Sequence, residues 1–433
     1  MAVDKALESA PFEATETVRI PPLIKRNTLL LALSMAFSGA GHGMVYSLGP
    51  IMVVQLLESA SLAGVGLAIL GGVRFVTAYP IGKLTDTYGR KLGMLLGIGL
   101  GVVGAILMGL CVILQSFPLY VIGMLGLGVA TGAAHQLRVA ATDMYPPSRR
   151  AEGLGWVLTG SIIGVFVGPL LVAFAQSAAP SIGLPAISLS WWLAPIIALP
   201  GAILVMMVRP DPLHIAAHLD RYYPGVQPIV HRAAHGRVSP LIFLRHHVRR
   251  AATASSFAAQ GIMAIVMVTN SLVLAHHGHS LAAISASLAA HTIGMFGFSL
   301  PIGRATDELG RRQMIVWGLI IETIGALLVA LTSDFWTVTL GTFLVGLGWS
   351  GTNVASTAMI ADTTEPEERG RAVGTLDMIG GIAAVMLPVA TGPIAVAAGL
   401  PITGLLAIVL AVPALALVWP IREPRPGRFD DPA

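Results

Sequence analysis

Twelve apolar stretches of about 20 residues or more stand out along the chain, separated by shorter polar segments. They run near 28–52, 61–82, 92–114, 118–142, 151–176, 186–208, 253–275, 281–303, 313–332, 335–361, 371–393 and 399–420. As helices rising 1.5 Å per residue, each is long enough to cross about 30 Å of hydrocarbon. A membrane barrel would instead show alternating segments of about ten residues, and none appear. The expected fold class is therefore all-α integral membrane, with 12 transmembrane helices. The longest polar break, 209–252, is rich in Arg, His and Pro and splits the chain into two sets of six. The domains expected are a tail at 1–27, a six-helix bundle at 28–208, a central loop at 209–252, a second bundle at 253–420 and a tail at 421–433. The opening 27 residues are polar and mixed in charge, so they read as a tail and not as a cleavable signal.

Composition agrees with the pattern and narrows it. Only 11% of the 433 residues are charged and 55% are hydrophobic, against about 25% charged in soluble domains. A pI of 9.4 invites a nucleic-acid reading, but the placement of the basic residues removes it. Of 26 Lys and Arg, all except Arg74 and Arg138 fall in the segments on one side of the twelve-span plan. Positive charge collects on the cytoplasmic face of inner-membrane proteins, so both termini are expected in the cytoplasm. The single cysteine, Cys111, lies in an apolar run and excludes a disulfide framework or a cysteine metal site. No cofactor, metal or nucleic acid is expected. The partners expected are membrane lipid, a small-molecule substrate and protons.

The two halves repeat each other. Gly82, Asp86, Gly89 and Arg90 recur as Gly303, Asp307, Gly310 and Arg311, and Asp143–Pro147–Arg150 recurs as Asp362–Pro366–Arg369, both about 220 residues on. That period is far beyond solenoid repeats and marks a duplicated bundle, the plan on which alternating access is built. The loop Gly82-Lys-Leu-Thr-Asp86-Thr-Tyr-Gly89-Arg90-Lys91 and its copy Gly303-Arg-Ala-Thr-Asp307-Glu-Leu-Gly310-Arg311-Arg312 resemble the hallmark loop of the major facilitator superfamily. The resemblance covers 28–420 and implies that fold, a secondary transporter and a monomer. In chemical terms, Gly82 and Gly303 would let helices approach, Gly89 and Gly310 would allow tight turns, and Asp86 and Asp307 could face a helix N-terminus. Arg90 and Arg311 could pair bidentately with Asp143 and Asp362. In the family such pairs lock the cytoplasmic side; the plainer reading is that the loops only fix topology.

Span 5 reads Gly160-Ser-Ile-Ile-Gly164-Val-Phe-Val-Gly168-Pro169, similar to the signature of proton-driven antiporters, although Val172 and Ala173 stand where two more glycines are usual. The resemblance implies a smooth glycine face sliding on the other bundle; a stripe of small residues that simply packs helices is the alternative. Span 4 keeps Gly126-Leu-Gly128 but has Ile122 where those antiporters carry Arg, and His135 and Arg138 follow nearer the cytoplasm.

Polar residues inside spans are costly and so are candidate sites. They are His42 and Tyr46 in span 1, Arg74 in span 2, His135 and Arg138 in span 4, Gln260 and Asn270 in span 7, and His291 in span 8. Glu322 in span 9, Trp349 and Asn353 in span 10 and Asp377 in span 11 complete the set. Spans 1, 4, 7 and 10 line the central cavity in the family, which would make it cationic on its N-terminal half. Arg74 lies about 12 Å and Asp377 about 9 Å into the membrane from the same side. They could form an ion pair when the cytoplasmic side closes, or each could find a local partner. Glu322 reads either as a proton site or as a protonated carboxyl bonded to a neighbouring helix. His276, His277 and His279 fall in an outer loop that could hold a metal or simply be solvated, and Trp191 and Trp192 read as interfacial anchors.

No phosphate-binding Gly-x-x-x-x-Gly-Lys loop exists, since Thr77 precedes Gly82-Lys83 where glycine is required. No clustered nucleophile and base suggests an enzyme. The reading is a proton-coupled transporter of a small organic solute, by export through antiport. Uptake of an organic anion by proton symport, and a non-transporting assembly or sensor protein of the same fold, stand as alternatives. Two buried guanidiniums suit an anionic or zwitterionic amphipathic solute.

Overall fold

The computed structural model describes residues 19–146, 149–224, 244–364 and 369–422. The expected tails and central loop fall partly on residues 1–18, 225–243 and 423–433, outside the described residues. Every span is helical. The first bundle holds Pro22–Leu57, Val65–Tyr88, Arg90–Ile113, Phe117–Asp143, Arg150–Ile182 and Ala186–Met207 as spans 1 to 6. The second holds His247–His276, the pair Leu281–Gly297 and Ser299–Leu309, then Arg311–Leu331, Phe335–Asp362, Arg369–Ala398 and Pro401–Val418 as spans 7 to 12. The helices overrun the apolar stretches, as span 1 shows with 36 residues, because helical hydrogen bonding continues into the polar flanks.

Ten of these helices are long and apolar enough to cross a membrane, and the bent pair of span 8 makes eleven. Span 10, with 28 residues, is long enough but is diluted by Thr, Ser, Gly and Asn. Span 8, expected as a single stretch at 281–303, is two helices bent by 46° between Gly297 and Ser299. Pro301 explains the break: it has no N–H to give the Gly297 carbonyl, and its ring crowds that carbonyl.

Neighbours repeat between the halves. Span 1 packs on spans 5 and 6, span 3 on 4 and 6, and span 2 on 4; span 7 packs on 11 and 12, span 9 on 10 and 12, and span 8 on 10. The bundles meet through spans 5 and 8 and through spans 2 and 11, a pair of contacts that the same repeat relates. Small residues bring backbones together: a side chain at Gly104 would strike the Gly123 carbonyl, and one at Gly325 the Gly341 carbonyl. That is how spans 3 and 4, and 9 and 10, associate without a hydrophobic drive from the lipid. Trp191, expected at the interface, is fully buried with its indole N–H on the Met52 sulfur at 3.1 Å. Trp192 donates to the Ile106 carbonyl at 3.3 Å. Packing against spans 1 and 3 claims both rings.

Candidate functional site

Each hallmark loop is one residue long. Span 2 ends at Tyr88 and span 3 begins at Arg90, so Gly89 alone turns the chain, at φ 101°. Gly310 does the same between spans 8 and 9 at φ 97°. Both lie where a Cβ is strained. The two arginines then bind alike. Arg90 Nε donates to Asp143 at 2.8 Å and its Nη1 to Asp86 at 2.5 Å. Arg311 Nε donates to Asp362 at 2.9 Å, and its Nη2 lies 3.2 Å from Asp307. The expected partners are present, and each guanidinium also reaches a second carboxylate: Arg90 bridges Asp143 and Asp86, and Arg311 bridges Asp362 and Asp307. Asp86 and Asp307 sit one helical turn before their arginines, which captures a second arm of the fork.

Three other expectations for these motifs change. A Cβ at Gly82 or Gly303 would meet nothing within 4 Å, so neither glycine serves a close helix approach in this state. The carboxylate at the helix N-terminus is not Asp86 but Asp211, which accepts from Arg90 N and Lys91 N at 3.1 Å each and from Leu213 N at 2.9 Å. Gly160 and Gly164 face the Ala32 and Ala36 carbonyls of span 1 in their own bundle; the opposite face of span 5 meets span 8. The side chains of His42, His135, Arg150 and Arg369 lie outside the described residues.

Between the bundles lies a cavity of about 230 Å³. Of the polar candidates it gathers Tyr46, Arg74, Arg138, Gln260, His291 and Trp349, with Gly168 and Pro169 of span 5 on its wall. Its side remote from the basic face is closed. There Gly64 abuts the Pro388 carbonyl, Gly71 abuts Val385, and Gly392 abuts Ser61, so span 11 packs on span 2 and on the short turn of helix, Ala60–Leu62, that leads into it. Gln176 Oε1 accepts from Ala282 N at 3.3 Å, and Ser271 Oγ donates to the Tyr46 carbonyl at 3.2 Å. Towards the basic face the same spans open, leaving Arg74 and Asp377 exposed. Among the described residues neither makes an ion pair within 4.0 Å. The Arg138 guanidinium lies 5.5 Å from the centroid of the Phe296 ring, across the bundle boundary.

Asn270 and Glu322 are away from the cavity. Asn270 accepts from Ser287 Oγ at 2.9 Å, Ser287 lies 3.2 Å from Thr342 Oγ1, and His291 Nδ1–H donates to the Thr342 carbonyl at 3.0 Å. This buried chain of polar groups ties spans 7, 8 and 10 and fixes the His291 ring at the cavity edge. Glu322 is fully buried, and neither carboxyl oxygen has a hydrogen-bond partner among the described residues. The expected bond to a neighbouring helix is missing because span 10 offers Gly348 at that level, and any side chain there would collide with Glu322. Asn353 is half-buried on span 10 outside the cavity wall. Between spans 7 and 8 His277 Nδ1–H donates to Val273 O at 2.8 Å and His279 Nε2–H to Ser333 O at 3.2 Å.

Sequence reasoning missed Asp211, Ser287, Thr342 and the methionines of the cavity wall. Asp211-Pro212, an acid before a proline at a helix start, was a visible capping signal. Serines, threonines and methionines in spans carry none.

A family model described as Major Facilitator Superfamily matches residues 31–248 and 251–433. The "Uncharacterized MFS-type transporter YdeG" of Bacillus subtilis is 28% identical over 383 residues, 87% of each chain. The "Riboflavin transporter RfnT" of Brucella anthropi is 24% identical over 361 residues, 82% of this chain and 85% of that one. Among solved structures, a bacterial homolog to the human lysosomal transporter Spinster, inward-facing and occupied, superposes with a TM-score of 0.67 at 15% identity, covering 92% of this chain and 97% of that one.

Proposed function

The chain belongs to the Major Facilitator Superfamily, and from that membership we propose that it is a proton-coupled secondary transporter that exports a small organic solute across the inner membrane by antiport. Its relatives are transporters and not enzymes, so a small-molecule substrate is the working partner. The observation that carries the proposal is the cavity between two repeated bundles, sealed on one side and open towards the basic face. With that face in the cytoplasm, this is the state that loads cargo from inside.

Coupling is assigned to Arg74 and Asp377. Both are exposed on the open side, on the two spans whose far ends are in contact. Rocking the bundles together on the cytoplasmic side would bring these spans into contact along their inner halves and pair the two charges. A proton on Asp377 removes the attraction and favours reopening, so proton binding and bundle closure oppose each other. Two linked states of this kind are what transport by exchange requires.

The test uses proteoliposomes with an entrapped pH dye, an imposed proton gradient and a panel of anionic, zwitterionic and cationic solutes. A solute-dependent proton flux is expected, and Asp377→Asn is expected to abolish it. The sign of the pH change separates export by antiport from uptake by symport. An undiminished flux in Asp377→Asn would remove the assigned switch.

A further inference from the structure

We propose that the cavity selects an aromatic organic anion, held by its acidic group at Arg138 and Arg74 and by its ring on the methionine wall of the second bundle. The proposal rests on reading the chain as a solute transporter and names what that transporter takes.

Charge points to the acid. Arg138 is partly buried on span 4, its Nε is shielded from solvent with no hydrogen-bond partner, and it makes no ion pair among the described residues. A guanidinium in such a place is costly unless a counter-charge reaches it. The described residues lining the cavity include no Asp or Glu, so none of them supplies Arg138 with that counter-charge. Arg74 faces the same space from span 2 and, unpaired with Asp377 in this open state, adds a second positive charge to it. The Phe296 ring covers part of the Arg138 guanidinium at 5.5 Å to its centroid, which steadies the cation without neutralising it. An anion entering from the open side would meet two forks suited to a carboxylate or sulfonate.

The opposite wall points to the ring. Met263 and Met267 of span 7 and Met295 of span 8 face the cavity, with Trp349 of span 10 beside them. Thioethers are polarisable, adjust their shape, and make favourable contacts with aromatic rings. The Trp349 indole N–H has no partner among the described residues, although a buried indole N–H normally finds one. It offers a donor to an acceptor atom on the far side of the ring. Acid at one end, flat apolar body in the middle and an acceptor at the other end match the polarity of the space.

The test is calorimetric binding to the purified full-length protein in nanodiscs. The probes are 1-naphthoate, its neutral counterpart 1-naphthalenemethanol, its cationic counterpart 1-naphthylmethylamine, and the aliphatic anion decanoate. Naphthoate is expected to bind about tenfold or more tightly than the alcohol and the amine, the size expected from one charge-assisted hydrogen bond, and more tightly than decanoate through the contacts of its ring with the thioethers. Arg138→Gln is expected to remove that preference while raising the melting temperature of the ligand-free protein, since it deletes an uncompensated charge. A merely structural arginine would lower it. Equal or tighter binding of the alcohol or amine, no binding of naphthoate, or unchanged naphthoate affinity in Arg138→Gln would overturn the proposal. Decanoate matching naphthoate would overturn the aromatic part. Binding is read without transport: naphthoate binding with no solute-driven proton flux sinks the coupled-transport reading and leaves this one standing, whereas flux driven by the amine alone does the reverse.

Discussion

Glu322 is a residue whose chemistry and surroundings disagree. It is fully buried between spans 9 and 10 with neither carboxyl oxygen partnered among the described residues, and Thr352 Oγ1 and Ser356 Oγ on span 10 are buried and equally without a partner among them. A polar group left unsatisfied in a dry interior costs about 1–3 kcal/mol. Glu322→Met keeps the length of the side chain and removes both oxygens. It is therefore expected to stabilise the protein by about 1 kcal/mol or more, read as a higher melting temperature in detergent. A lower melting temperature would show that the carboxyl is bonded in the membrane-embedded protein, and would assign it a structural role. Because Glu322 is off the cavity wall, solute binding is expected to be unaffected.

At the scale of elements, the start of span 3 is held from outside its own helix. The first N–H groups of a helix lack partners within it, and Asp211, 121 residues after Arg90, accepts from the first two of span 3. The same carboxylate caps the short helix Pro212–Ala217. Asn27 Nδ2–H donates to Arg209 O at 3.1 Å and Lys91 Nζ–H to Met206 O at 2.9 Å. The end of span 6 is thus stitched to the hallmark loop and to span 1, and the first bundle has a braced basic face. Asp211→Ala is expected to cost about 1 kcal/mol, the usual worth of a helix cap, with Asp211→Asn recovering most of it; thermal melting of the two variants decides. Two equal losses would mean that the charge, through the helix dipole, matters more than the hydrogen bonds. This brace also shows what was readable in the chain. The spans and the Arg90–Asp143 and Arg311–Asp362 pairs were legible because long apolar runs and a duplicated charged loop leave few alternatives. Asp211 was overlooked because it sits in a loop full of charges, where its partners are backbone groups. The methionine wall and the Ser287–Thr342 chain were illegible because uncharged residues in a span look alike whether they face lipid, helix or cavity. The bend of span 8 was in view as Pro301, but its position only mattered once Gly297 was known to be helical.

For the whole molecule the question is which state the packing favours. Spans 2 and 11, with the turn of helix that leads into span 2, close the side remote from the basic face, the outer side in the proposed orientation, through glycines: Gly64 against the Pro388 backbone, Gly71 against Val385, and Gly392 against Ser61. A methyl group at Gly64 would fall on the Pro388 carbonyl, which belongs to a helix and cannot swing aside as a flexible side chain could. Relief comes from separating these halves of the two spans, and the bundles would then turn to close the side of the basic face. Overpacking of this kind typically costs about 1–3 kcal/mol. A bias of that size on one of two states shifts their ratio by about 5–150-fold. Gly72→Ala is the matched control, since a Cβ there would meet nothing within 4 Å. The readout is a cysteine at Met267 on the cavity wall, in a Cys111→Ser background that removes the single native thiol. It is labelled in right-side-out vesicles by an impermeant reagent. Gly64→Ala is expected to raise the outer-side labelling rate about tenfold or more and Gly72→Ala to leave it unchanged. Because the two variants add the same methyl about two turns apart, at the start of span 2 and within it, a general loosening of the protein would raise both. A selective rise would identify the Gly64–Pro388 contact as the outer gate, and no rise in either would mean that spans 2 and 11 stay together as the bundles move.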